Sequence, residues 1–256
     1  MSNLDEAFSL SGRVAVVTGA GGGLGEGICL RLAAAGAAVA CVGRTQDSID
    51  AIRDRVREAG GTAISVLCDV ADQASVEVMA GEVAGQLGGI DILINNAAIY
   101  PRRDWTEITK EEWDQVLGTN LTGYFLCARA LFPYLKARGN GRIVNIASIT
   151  VFGGWSMLLD YVTSKGGIVA FTRALAREIG PEGVTVNTIS PGAFPTDAEK
   201  IHPDPEGYNR FVLEQQSIKR RGTGDDVGNL VVFLASDAAS FITGQMIQID
   251  GGWVMQ

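Results

Sequence analysis

The chain predicts an α/β fold, a doubly wound and mostly parallel seven-stranded sheet with helices on both faces, in one domain over residues 1–256. Three observations predict it. Seven short runs rich in Val and Ile recur along the whole chain, bounded by Gly, Asp or Asn. Longer amphipathic stretches alternate with them, which is the pattern of a parallel sheet covered on both faces. No linker composition interrupts the alternation, and right-handed crossovers then wind the sheet in both directions.

The strands are expected at 13–18, 38–43, 62–68, 91–95, 142–147, 185–190 and 246–250. Each is short and β-branched. Helices are expected at 24–35, 46–59, 73–87, 110–138, 159–179 and 225–235. Glycines at 36, 60, 88, 139 and 180 follow helical stretches, as helix stops should. Residues 192–223 break the pattern with Pro195, Pro203, Pro205 and many charges. A plain connection needs fewer residues. This segment is expected to hold one or two short helices in a mobile substrate lid, next to the sheet edge where ligands bind.

Bulk properties narrow the function. Hydrophobic content of 46% supports a sizeable core, and a net charge of −8 without a basic run disfavours nucleic acid. Residues 1–13 carry charges and no apolar run, unlike a signal peptide, and no stretch is apolar enough to span a membrane. Cys29, Cys41, Cys68 and Cys127 lie far apart inside apolar segments and read as small core residues of a reduced, cytoplasmic protein. His202 is the only histidine, so a multi-histidine metal site is excluded, and no compact acidic cluster suggests another metal site.

Five glycines fall among the eight residues from Thr18 to Gly25, directly after the first strand and at the start of the first helix. Gly19, Gly21, Gly22, Gly23, Leu24 and Gly25 would let the backbone approach a phosphate, with the helix N-terminus offering free N–H donors. Strand before and helix after is the context such a turn requires. At the end of the second strand an NAD-preferring protein usually places a carboxylate on the ribose 2′-hydroxyl. Here Gly43-Arg44 stands instead, with no acid until Asp47. Arg44 suits a 2′-phosphate, so NADP is favoured over NAD. Asp69 and Val70 follow the third strand and suit the adenine; Asp69 also suits a helix cap near Asp72.

Tyr161 and Lys165 are four residues apart in a helical stretch, thirteen and more residues after Ser148. Positions i and i+4 share a helix face. A cation beside a phenol favours the phenolate, which makes Tyr161 a candidate general acid/base.

Together these pieces resemble the short-chain dehydrogenase/reductase superfamily, in its compact branch of 3-oxoacyl carrier-protein reductases and secondary-alcohol dehydrogenases. The resemblance runs from Thr18 to Gly252 and includes Asp69-Val70, Asn95-Asn96-Ala97-Ala98, Asn120, Ser148, the Tyr161–Lys165 pair, Pro191-Gly192 and Asp250-Gly251-Gly252. It implies a Rossmann-type dinucleotide fold and hydride transfer between NADP(H) and a carbonyl or secondary alcohol. It implies that Ser148 bonds the carbonyl oxygen, Tyr161 exchanges the proton, and Lys165 lowers the Tyr161 pKa and holds the nicotinamide ribose. Asn120 would interrupt its helix and hold a water that leads from Lys165 to solvent. Asn95 and Asn96 would brace the central strands, with Asn96 and Ala97 beside the cofactor. Pro191 and Gly192 would support the nicotinamide, and Thr196 would place a hydroxyl near the carboxamide or pyrophosphate. The family usually has Gly where this chain has Ala98, a small narrowing of the cleft. Asp160 would raise the phenol's pKa if it faced the pocket.

Substrate-side candidates are Ile99, Tyr100 and Pro101; Thr150, Phe152, Trp155, Met157 and Leu158; and Phe194, Ile201 and His202 in the lid. Their aromatic and aliphatic character suits a hydrophobic aryl or alicyclic ketone. Arg102 and Arg103 read as solvated charges at the cleft rim, or else suit an acidic group such as the phosphopantetheine arm or acidic carrier surface of a 3-oxoacyl thioester substrate. The alternatives are an NAD-dependent secondary-alcohol dehydrogenase and, remotely, a catalytically silent nucleotide-binding scaffold. A homotetramer is implied by the resemblance, through the helices at 110–138 and 159–179 and the apolar C-terminal strand.

Overall fold

A computed structural model describes residues 3–196, 199 and 202–255. The lid candidate Ile201 lies outside the described residues. Seven parallel strands, β1 (Val14–Thr18), β2 (Ala38–Gly43), β3 (Thr62–Leu67), β4 (Ile92–Asn95), β5 (Arg142–Ile146), β6 (Thr185–Pro191) and β7 (Met246–Ile249), form one sheet in the order β3-β2-β1-β4-β5-β6-β7. The fold class expected from the sequence is therefore observed, with every strand within a residue or two of its expected limits.

Alternate residues of β1 show why the strands read as unbroken apolar runs. Ala15 and Val17 join one core cluster, while Val14 and Val16 join the other. Side chains on a strand point alternately to its two faces, so both faces of β1 are buried. Helices α2 (Leu24–Ala34), α3 (Gln46–Glu58) and α10 (Gly224–Ala235) supply Ile28, Leu32, Ile49, Ile52, Val227 and Val231 to the first cluster. Helices α4 (Gln73–Leu87), α6 (Gly123–Arg138) and α8 (Leu159–Ile179) supply the second, with Met79, Val83, Leu131, Leu135 and Ala176. The chain direction across the sheet reverses between β1 and β4, and a crevice opens at the carboxyl ends of those strands.

Helices α2 and α10 meet backbone to backbone. A Cβ built on Gly27 collides with Gly224, and one on Gly228 comes within 2.8 Å of the Gly27 carbonyl. Only glycine permits that approach.

Three details depart from the sequence reading, and a fourth, the helix within 192–223, agrees with it. The expected helix 110–138 is two helices, α5 (Lys110–Leu117) and α6, joined by a π-helical turn at Gly118–Thr122 that contains Asn120. Such a turn inserts a residue into the ladder, as the interruption implied for Asn120 requires. Gly180 is not the stop of α8: its φ is −54°, the chain passes into a 3₁₀ turn (Gly180–Glu182), and Gly183 with φ 78° ends it. Short helices α1 (Asn3–Phe8) and α7 (Thr150–Gly153) were not expected, being too short to show a period. The described part of 192–223 holds one helix, α9 (Pro205–Gln215), capped by the Asp204 carboxylate, which accepts from Gly207 N at 2.8 Å.

Candidate active site

The carboxyl ends of β1 and β4 fix the glycine turn. Thr18 Oγ1 accepts from Asn96 N at 3.0 Å and Ala97 N at 3.2 Å, and donates to Ile94 O. The Asn96 amide donates to Thr18 O at 3.1 Å and Gly19 O at 2.9 Å. Gly19 has φ 64°, and a Cβ there would lie 2.7 Å from the Ala97 Cα. A Cβ on Gly25 collides with the Gly19 carbonyl, and one on Gly21 would lie 2.9 Å from the Ser48 Cβ. Gly22, in contrast, has nothing within 4 Å of that position, so the turn keeps one open face. No side chain caps α2 at Gly23. Gly25 N donates to Gly22 O at 3.1 Å, and the N–H of Leu24 beside it remains available to an anion.

Ser148 follows β5, and α8 carries Tyr161 and Lys165 one turn apart. The Ser148 hydroxyl accepts from Thr150 N at 3.2 Å and Thr150 Oγ1 at 3.0 Å, so its own proton points elsewhere. Lys165 Nζ donates to Ile146 O at 2.8 Å and Tyr124 Oη at 3.4 Å, and lies 5.6 Å from the Tyr161 ring centroid. Burial lowers the Lys165 pKa to about 7. Burial also raises the Tyr161 phenol above its ordinary value, with a hydrogen bond from Ser148 opposing and Tyr100 adding to the rise. The expected lowering of Tyr161 by Lys165 is therefore not met: desolvation dominates the phenol, and the amine that would oppose it is itself pushed toward neutrality.

Asn120 is fully buried. Its amide nitrogen donates to Ile99 O at 2.9 Å and Ser164 Oγ at 3.2 Å, and its oxygen accepts from Ile99 N at 2.8 Å. The side chain thus ties the loop after β4 to α8 rather than reaching Lys165. Asn95 donates to Asn145 Oδ1 at 2.9 Å and bridges β4 to β5. Asp160 is buried and accepts from Tyr161 N at 2.8 Å; it does not line the cleft.

A cleft of about 530 Å³ joins the two halves. Gly19, Gly22, Gly23 and Leu24 line it at the phosphate end, with Asn96, Ala97 and Ala98. Ser148, Tyr161, Lys165, Pro191, Gly192 and Thr196 line it further along. Gly192 donates to Ile249 O at 3.0 Å, and a Cβ there would lie 2.8 Å from that of Asp250. Arg44 and Asp69 are exposed just past β2 and β3 and do not line this cleft. Arg44 has no hydrogen bond or ion pair among the described residues. The Asp69 carboxylate accepts from Ala71 N at 3.0 Å, while Asp72 caps α4, so the capping alternative falls to Asp72. Val70 is buried against Gly123.

Of the substrate-side candidates, Tyr100, Thr150, Trp155, Leu158, Phe194 and His202 line the cleft. Phe152 and Met157 do not, and neither do Ile99 and Pro101. The short helix α7 and the left-handed backbone of Met157, φ 67°, turn that loop so that Trp155 and Leu158 face inward instead. Sequence reasoning missed Tyr208, Phe211 and Trp253 as lining residues, and Tyr124 beneath Lys165. Tyr124 had a signal, since it stands one helical turn beyond Asn120; Trp253 sat in a terminus read only as a subunit contact.

The residues fit a dinucleotide. A glycine turn with an open face and uncapped helix donors suits a pyrophosphate, unpaired Arg44 suits a 2′-phosphate, and the cleft leads from that turn to Tyr161.

Comparison with known proteins agrees with this geometry. Residues 19–254 match the family model described as enoyl-(acyl carrier protein) reductase. A short-chain reductase of Streptomyces niveus is 38% identical over 244 residues, 93% of this chain and 93% of that protein. A 3-oxoacyl-[acyl-carrier-protein] reductase of Staphylococcus epidermidis is 36% identical over 242 residues, covering 94% and 98%. The solved structure of a putative NAD(P)-dependent gluconate 5-dehydrogenase from Beutenbergia cavernae, with bound NADP, superposes with a TM-score of 0.91 at 38% identity, covering 96% and 98%.

Proposed function

The chain belongs to the short-chain dehydrogenase/reductase superfamily, an NAD(P)-dependent oxidoreductase, and from that premise we propose that it interconverts a carbonyl compound and its secondary alcohol with NADP(H), using Tyr161 as general acid/base. The observation that carries the reading is the placement of Ser148, Tyr161 and Lys165 on the same cleft as the open glycine turn. When bound, the nicotinamide supplies or accepts the hydride. The chain's residues do the rest. Ser148, its acceptor positions filled by Thr150, presents its proton to the carbonyl oxygen. Tyr161, with its pKa raised, is a protonated phenol at neutral pH and delivers its proton to that oxygen in reduction. Lys165, near the middle of its titration at pH 7, resupplies the phenol with little cost. Tyr124 holds the amine in place from below. Asn120 fixes the loop after β4 against α8 and so sets the distance from Tyr100 to Tyr161.

NADP is favoured over NAD by the unpaired Arg44 and the missing carboxylate after β2. The substrate is a 3-oxoacyl thioester or a hydrophobic aryl or alicyclic ketone. Similarity to the carrier-protein reductase supports the first, and the aromatic lining supports the second. A homotetramer is supported by the half-exposed Phe125 on α6 and Leu159 on α8. A cytoplasmic location is supported by four free, buried cysteines, and no helix among the described residues is long and apolar enough to cross a membrane.

The test is NADPH oxidation over a panel of ketones, repeated with Tyr161→Phe. Turnover should fall by about 10²–10⁴-fold while NADPH binding, read by fluorescence, is retained. Equal turnover in the variant would overturn the assignment of the proton donor.

A further inference from the structure

Four segments distant in sequence build the outer wall of the cleft from rings. Trp155 meets Trp253 edge-on, centroids 5.7 Å apart with planes at 86°. Phe211 meets Trp253 at 5.7 Å and 78°. His202 stacks on Tyr208 at 3.6 Å and 12°, and Tyr100 stands edge-on to Tyr161 at 4.6 Å and 87°. Trp155, Phe211 and Trp253 all line the cleft, and an aromatic ligand packed against such rings gains beyond the area it buries.

The charges of the cleft are unequal in their commitments. Lys165 is held under Tyr161 by Ile146 and Tyr124. Glu199 is paired with Arg221. Burial first and then Arg102 lower the His202 pKa, against the pull of Glu199. Arg103 pairs with Glu112 and does not line the cleft. Arg102 alone among the lining cations has no hydrogen bond or ion pair among the described residues, yet it acts electrostatically on both Tyr100 and His202. A free guanidinium near the Tyr100 phenol, on the same cleft as Tyr161, matches a carboxylate in both charge and fork geometry.

Resting on the carbonyl-reductase reading above, we propose that the substrate is an aryl ketone, or the matching benzylic alcohol, that carries a carboxylate: its ring fills the slot beside Trp155 and Trp253, and its carboxylate pairs with Arg102. Reduction adds the hydride to the carbonyl carbon and the Tyr161 proton to its oxygen. The carboxylate is untouched and serves only to orient the ketone.

The probes are 3-acetylbenzoate and 4-acetylbenzoate against acetophenone. In the wild type, kcat/KM should favour one acetylbenzoate by about fivefold, the upper range for a pair still touching water. In Arg102→Gln the ratio should fall to near one, and in Arg103→Gln it should stay at the wild-type value. Because each ratio is taken within one variant, loss of folded protein cancels. Quenching of tryptophan fluorescence by benzoate gives a reading without turnover: it should saturate in the wild type and weaken in Arg102→Gln. A wild-type ratio near one would overturn the role of Arg102. Faster turnover of an acetoacetyl thioester or a keto-sugar acid than of any aryl ketone would overturn the aryl class. If no ketone is turned over, the carbonyl-reductase reading fails by itself, and the benzoate titration still decides whether Arg102 and the ring wall hold an aryl carboxylate.

Discussion

Lys165 Nζ donates a 2.8 Å hydrogen bond to the carbonyl of Ile146, from a side chain with 1% of its surface exposed. The position burdens the fold with an amine that water would rather keep charged. Its pKa is about 7 in the folded protein and ordinarily 10.5. Between those values the unfolded chain binds more protons than the folded one, so stability rises with pH from 7 toward 10.5, and as pH falls that gain is fully lost by about 7. Lys165→Met should therefore melt several degrees above the wild type at pH 6, and the gap should close toward pH 10. Calorimetry of both proteins without cofactor over that range checks the sign.

Ser148 has both acceptor positions engaged by Thr150, which aims its proton toward Tyr161 at the cleft. Ser148→Ala should lower kcat by about 10²–10³-fold, the cost of one lost donor at a developing oxyanion. Thr150→Val should lower it less, because the serine remains but is free to rotate. Steady-state kinetics on a single ketone separates the two.

A methyl at Gly25 would strike the Gly19 carbonyl and lie 2.9 Å from the Ala20 Cα, both backbone atoms. Neither can yield as a side-chain tip would. Gly25→Ala should cost about 3 kcal/mol, the upper range for overpacking, and weaken NADPH binding. Gly22→Ala, with open space at its Cβ, should leave stability nearly unchanged. Urea denaturation of the pair is the measurement.

Arg44 is exposed and unpaired after β2. Arg44→Glu should reduce the ratio of kcat/KM for NADPH over NADH by about 10- to 100-fold, the worth of about 1.5–3 kcal/mol for hydrogen bonds to a charged group. An unchanged ratio would remove Arg44 from cofactor selection.

The sheet was legible because both faces are buried, so each strand spelled an apolar run; Val14 to Val17 divide between two cores and none could be polar. The Tyr161–Lys165 pair was legible from its i+4 spacing. Other features depend on distances that a sequence does not carry. The π-turn at Gly118–Thr122 keeps the helical apolar period nearly intact, so the stretch read as one helix. Phe152 and Trp155 look alike in composition, and only the left-handed bend at Met157 decides which of that loop's rings turns inward. Trp253 meets Trp155 and Phe211 only after β7 has docked beside β6. The sign of the Tyr161 shift was misjudged for a related reason: a neighbour's charge can be read from spacing, but dehydration cannot.

The glycine seam where Gly27 meets Gly224 has a mechanical consequence. One of the two helices it joins starts at the phosphate turn, and the other starts where residues 192–223 end. The downstream anchor of that segment is thus bolted to the nucleotide-facing framework, reinforced by Arg31 and Asp225 at 2.6 Å. A single methyl wedged at position 27 would push the two helices apart and disturb the phosphate turn and that anchor together.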